Sequence, residues 1–214
     1  MSTKKTLSIV LNRLVSLTAQ YGHVIALNLI LAKISVNAVL ILWLVKLLGD
    51  LLATALNQFI KPIHSAKLFL FMSEVIRAIL LLLMPLFFQS YFLFAIVLVF
   101  EILGDIFSSY LMTTIPFLVP KDNLSRFNAS ITLVGSISYF VGPLLVGIFQ
   151  SFSQTILFLF YGGLTAIAAM LLLILPAISL TPISNEAPNF KKNFKRIGHL
   201  FKLYRNYLYV FLLG

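Results

Sequence analysis

Six apolar runs, roughly 14–32, 36–60, 67–88, 91–118, 128–151 and 155–178, take up most of the 214 residues of this chain. Crossing a hydrocarbon core of about 30 Å takes a helix of roughly 20 residues, and every run is near or above that length. In lipid the backbone must satisfy its own hydrogen bonds, so single runs of this kind read as helices. The connections are short and hold turn formers such as Ser35-Val36-Asn37, Lys61-Pro62 and Pro120-Lys121-Asp122-Asn123. The predicted fold class is an all-α membrane protein, a six-transmembrane-helix bundle over residues 1–178.

Composition excludes the main alternatives. A soluble domain is about 25% charged; this chain is 10% charged with 60% apolar residues. That removes a soluble enzyme and a disordered chain. With no cysteine there is no disulfide framework and no thiolate metal site. The net charge of +10 is not read as a nucleic-acid surface, because the cations sit in short gaps between apolar runs. With the N-terminus inside, the inner segments hold Lys4, Lys5, Arg13, Lys61, Lys67, Lys121, Arg126 and the six cations between 191 and 205, whereas the outer loops hold Lys33 alone. Lys and Arg stay on the cytoplasmic side, so a multi-pass plasma (inner) membrane protein with a cytoplasmic N-terminus is expected. The basic start followed by an apolar run resembles a signal peptide, but the run continues to span length without a cleavage site.

Ionisable groups inside a span face protein or a water path, and each is a candidate site. Glu101 and Asp105 are four apart on one face of the fourth span, which Ser108 continues, and Glu101 lies near mid-membrane by length. Two carboxylates so close cannot both ionise cheaply, so the pair is expected to hold a proton. That suits proton coupling or a cationic substrate; neutralisation by Lys46 or Arg77 is the structural alternative. Lys46, Asp50, Thr54 and Asn57 form one stripe on the second span, where Lys46 and Asp50 are expected to neutralise each other. Ser16, Gln20 and His23 share a face of the first span. Glu74 and Arg77, three apart, are expected to form a local pair with Arg77 snorkelling to the interface.

The fifth span contains Gly135, Ser136, Ser138, Gly142, Pro143 and Gly147, small residues that let helices approach, with a Gly-Pro step that bends the helix. The sixth span carries no charge and is expected to be a peripheral support. Residues 179–205 are read as a cytoplasmic basic amphipathic linker, in which Phe190, Phe194, Ile197, Phe201 and Tyr204 form the apolar face against an anionic leaflet. Residues 206–214 begin a new apolar run too short to span, the expected start of a truncated seventh helix.

Ile115-Pro116-Phe117-Leu118-Val119-Pro120-Lys121-Asp122-Asn123-Leu124-Ser125-Arg126-Phe127-Asn128-Ala129-Ser130 is similar to the "IPxLVPKxxLxxANS" stretch of major facilitator superfamily exporters of the multidrug and macrolide type. Gly142-Pro143-Leu144-Leu145-Val146-Gly147 resembles their "GPxxGG" motif, and Ser73-Glu74-Val75-Ile76-Arg77-Ala78 their "SDLLRA". The matches run in order through most of residues 14–178. The loop after the second span departs from the family's Gly-x-x-x-Asp-Arg-x-x-Arg-Arg: Asn57 and Gln58 stand as amides where the family has charges, followed by Lys61. The resemblance implies two inverted three-helix repeats forming half of a twelve-helix fold, with Gln20, His23, Glu101 and Asp105 lining the substrate path, Asn57, Gln58 and Lys61 in the gating loop, and Gly142, Pro143 and Gly147 at an exporter-type bend. The expected function is export of small molecules such as drugs or macrolides by proton antiport, from a truncated or split half. The alternative is a non-transporting remnant or a partner-binding half-bundle. An enzyme is not expected, since no HExxH, GxSxG or phosphate loop occurs. Neither a cofactor nor a metal is expected. The expected partners are the lipid bilayer, a small-molecule substrate, protons and a C-terminal half, and no nucleic acid.

Overall fold

Residues 3–57, 66–149 and 153–175 are described by the structure, a computed structural model. They form six helices: α1 (Thr3–Ala32), α2 (Val36–Asn57), α3 (Ala66–Leu83), α4 (Phe92–Leu118), α5 (Lys121–Phe149) and α6 (Gln154–Leu172), with one 3-10 turn, Met84–Phe87, after α3. No strand occurs among the described residues. All six helices, counting the 3-10 turn with α3, are long and apolar enough to cross a membrane, so the chain is a multi-pass all-helical bundle. The expected linker and seventh-helix start, like Gln58 and Lys61, lie outside the described residues.

Two helices begin well before their apolar runs. α1 takes in Asn12 and Arg13, and α5 opens at Lys121 instead of after a loop. The break between α4 and α5 is set by Pro120. A residue before proline is pushed out of the helical region, and Val119 is extended with φ −117° and ψ 128°. Asp122 then lies in the first turn of α5, where a negative charge favours the exposed N–H groups.

The helices pair selectively. α1 lies against α5 and α6, α3 against α6 and α4, and α2 chiefly against α4. Buried apolar side chains gather in two clusters. One takes residues 19–31 of α1, 93–100 of α4 and 157–161 of α6; the other takes Ile9, Leu70, Phe107, Leu111 and Leu172. Between them, on the same helices, come the buried polar groups Asn12, Arg13, Ser16, Glu74, Arg77, Glu101 and Thr165. The bundle therefore has two apolar ends and a polar layer across its middle.

Close approach locks α1, α5 and α6 together. A Cβ on Gly142 would come within 2.7 Å of the Gly22 nitrogen and 2.8 Å of the Thr18 carbonyl oxygen, and one on Gly22 would enter the Tyr161 ring at 2.3 Å. Tyr161 is fully buried, and its hydroxyl donates to the Gly142 carbonyl at 3.1 Å. α6 is thus a central helix packed on α1 and α3, not the peripheral support its composition implied. Gly135 and Gly147 meet nothing within 4 Å, so of the bend residues Gly142 alone is a seat for another helix. Gly142→Ala should lower stability by about 1–3 kcal/mol, as overpacking against backbone does. Gly147→Ala should be neutral or slightly stabilising, because alanine is the better helix former. Thermal unfolding of the two variants in detergent checks the contrast.

Candidate functional site

The polar layer has two halves, joined by α4. In the first, α2 faces α4. Gly49 lets the backbones close, since a Cβ there would lie 2.9 Å from the Glu101 Cβ. Lys46 Nζ reaches across to Glu101 Oε1, and this ion pair replaces the expected one between Lys46 and Asp50. Glu101 is 3% exposed, so a carboxylate there requires a partner far more than the exposed Asp50 does. Asp50 instead lies near Asp105 on the facing helix. One turn on, Asn57 Nδ2 donates to Ser109 Oγ at 3.1 Å. Thr54 turns back to its own helix, donating to the Asp50 carbonyl at 2.8 Å. The stripe read from spacing on α2 is therefore the face that meets α4.

In the second half, α1 and α3 meet α4. Glu74 Oε1 accepts from Ser16 Oγ at 2.7 Å, and Arg77 Nη1 donates to Glu74 Oε2 and to Ser16 Oγ, both at 3.3 Å. The pair exists, but Arg77 does not snorkel. It is 1% exposed, stacked 4.5 Å from the Phe100 ring centroid and laid flat over Gly104. Arg13 is the residue that sequence reasoning missed. Counted with the inner segments, it instead lies inside α1, buried, with Nη2 donating to Ser108 Oγ at 3.3 Å. The signal was present: Arg13, Ser16, Gln20 and His23 recur at helical spacing and form one stripe.

The four expected path residues separate. Glu101 and Asp105 converge with Lys46 and Asp50. His23 is fully buried, edge-on to Phe100 at 4.4 Å, with Nδ1 3.2 Å from the Ala19 carbonyl; it packs against the residue before Glu101. Gln20 is half-buried on α1 and joins no side-chain hydrogen bond to the cluster among the described residues.

Charge accounting singles out one part of this layer. Apart from Lys67, Lys121, Asp122 and Arg126 near the starts of α3 and α5, the charged residues within the described spans are Arg13, Lys46 and Arg77 against Asp50, Glu74, Glu101 and Asp105: three cations against four carboxyl groups. Lys46 serves Glu101 and Arg77 serves Glu74. Asp50 and Asp105 are left near each other with no ion-pair partner among the described residues, and two neighbouring carboxyl groups can share a hydrogen bond only if one carries a proton. Asp105 is half-buried and Asp50 exposed, so the pair lies toward the surface of the bundle and not in its core. The arrangement can take up and release one proton inside the membrane-spanning region. Among the described residues no set of three His, Asp or Glu side chains has metal-holding geometry.

Comparison with known protein families finds none whose pattern matches the chain, and no curated protein matches it either.

Proposed function

We propose that this chain is the six-helix half of a secondary transporter of the major facilitator type, an exporter of small basic molecules driven by proton antiport. The observation that carries the reading is the proximity of Asp50 and Asp105, neither with an ion-pair partner among the described residues, beside the Lys46–Glu101 ion pair within the spanning parts of α2 and α4. Substrate and proton compete for one negative site: a cationic substrate displaces the proton on its way out, and a proton from outside later displaces the substrate. Helix pairing supports the fold half of the proposal. Exchanging α1 with α4, α2 with α5 and α3 with α6 turns the α1–α5 contact into α4–α2 and α1–α6 into α4–α3, and returns α3–α6 to itself. Two inverted three-helix repeats have this symmetry. The cations outside the spans and near their starts favour a cytoplasmic N-terminus, with the buried Arg13 no longer counted among them.

One observation favours a second reading, a non-transporting bundle. Both fully buried carboxylates, Glu74 and Glu101, are already neutralised within the chain. Counterflow in sealed vesicles separates the two. An imposed pH gradient should drive a lipophilic cationic dye against its own gradient in vesicles holding the chain together with a completing half. Dye movement equal to that of empty vesicles would favour the bundle.

A further inference from the structure

A cavity of about 350 Å³ opens at the end of the bundle that carries the α1–α2 and α3–α4 connections. Its polar lining is Lys33 from the α1–α2 turn, Gln89 from the segment before α4 and Gln154 from the first turn of α6. Its apolar lining includes Ile34, Leu86 and Phe88. No ion pair among the described residues engages Lys33. The amide groups of Gln89 and Gln154 add N–H donors to its ammonium, so the site is built for an anion with several acceptor oxygens.

Size and rim narrow the ligand. Ligand pockets run from about 300 to 1,000 Å³, so this one admits a polar headgroup and not a long chain. Yet Ile34 and Leu86 at its edge are 55% and 74% exposed, apolar side chains at the end of the apolar spans. A soluble anion has no use for that rim, whereas an acyl chain leaving a bound headgroup would run along it. Lys33 is also the one Lys or Arg in the connections at this end, a placement that topology alone disfavours.

We propose that this cavity binds the headgroup of an anionic phospholipid. Lys33 Nζ meets the phosphate, the two amides donate to its remaining oxygens, and the acyl chains pass over Ile34 and Leu86 into the bilayer. A zwitterionic lipid fits less well, because its own ammonium group offsets the phosphate charge that Lys33 reads. The proposal rests on the membrane-spanning bundle and not on transport, so it stands or falls separately from the antiport reading.

Native mass spectrometry of the full chain in detergent tests it, with phosphatidylglycerol, phosphatidylcholine and soluble glycerol 3-phosphate as probes. One phosphatidylglycerol should be retained in preference to phosphatidylcholine. Lys33→Gln should weaken retention roughly fivefold, the effect of one cation near a lipid phosphate, and Lys33→Arg should keep it. Lys121→Gln, at the opposite end of the bundle, should change nothing. Equal retention by Lys33→Gln and the parent chain, or no preference between the two lipids, would overturn the proposal. So would an equal loss in Lys121→Gln, or displacement of the lipid by glycerol 3-phosphate, which would make a soluble phosphate the ligand.

Discussion

Replacing Arg77 with alanine should unfold a large fraction of the protein. The guanidinium is 1% exposed and is bonded to Glu74, itself fully buried, and to Ser16 of the neighbouring helix. Removing one partner of a buried pair leaves an uncompensated charge and typically costs about 3–5 kcal/mol. Loss of the stacking against Phe100 adds to that. For a chain of this size each kcal/mol moves the melting temperature by about 2–4 °C, so a fall on the order of 10 °C is expected. The double variant Arg77→Met with Glu74→Leu should recover much of the loss, because apolar side chains of similar volume remove both charges at once. Circular dichroism during heating in detergent reads all three proteins. A single variant as stable as the parent would mean that Glu74 finds another partner, for which Arg13 is the nearest candidate.

The second large effect belongs to function. Asp105→Asn and Asp50→Asn should each reduce proton-coupled export at least about a hundredfold, since each leaves one carboxyl group without the like-charged neighbour that favours a bound proton. Glu101→Gln should act differently. It frees Lys46, which sits one turn from Asp50 on α2 and can then pair with it, taking the place a cationic substrate would occupy. Export should fall in that variant too, with a changed pH dependence that the asparagine variants do not share. Leu103→Val, on a neighbouring position of α4, should change the rate by less than about twofold, as conservative apolar swaps do. Initial rates of dye counterflow across a pH series distinguish the four.

Much of this layout was legible in the residues. Six runs of span length give six helices, and the spacing of Lys46, Asp50 and Asn57 marks the face of α2 that meets α4. Periodicity shows which residues share a face but not which neighbour that face meets. Lys46 and Asp50 are well spaced for a bond on their own helix, yet Lys46 serves Glu101, because burial of Glu101 outweighs local geometry. Arg77 was read as reaching the interface, since a long side chain near a helix end commonly does; the stacking on Phe100 that holds it inside comes from another helix. Arg13 lay beyond the apolar run that defined the first span, and polar residues at the start of a helix look the same as a loop. The site is therefore tertiary in origin. Its members sit on α1, α2, α3 and α4, and only the packing decides which carboxyl groups are left without a cation.

The central claim is that Asp50 and Asp105 together form one site for an exchangeable proton. Infrared difference spectroscopy of the full chain in lipid, recorded across a pH titration, tests it most directly, because a protonated carboxyl group has its own C=O stretching band. The band should grow as pH falls and disappear as pH rises, and be weakened in both Asp105→Asn and Asp50→Asn, while the Glu74→Gln variant keeps it. A band undiminished in both asparagine variants, or no band from the folded parent chain at any pH, would contradict the account.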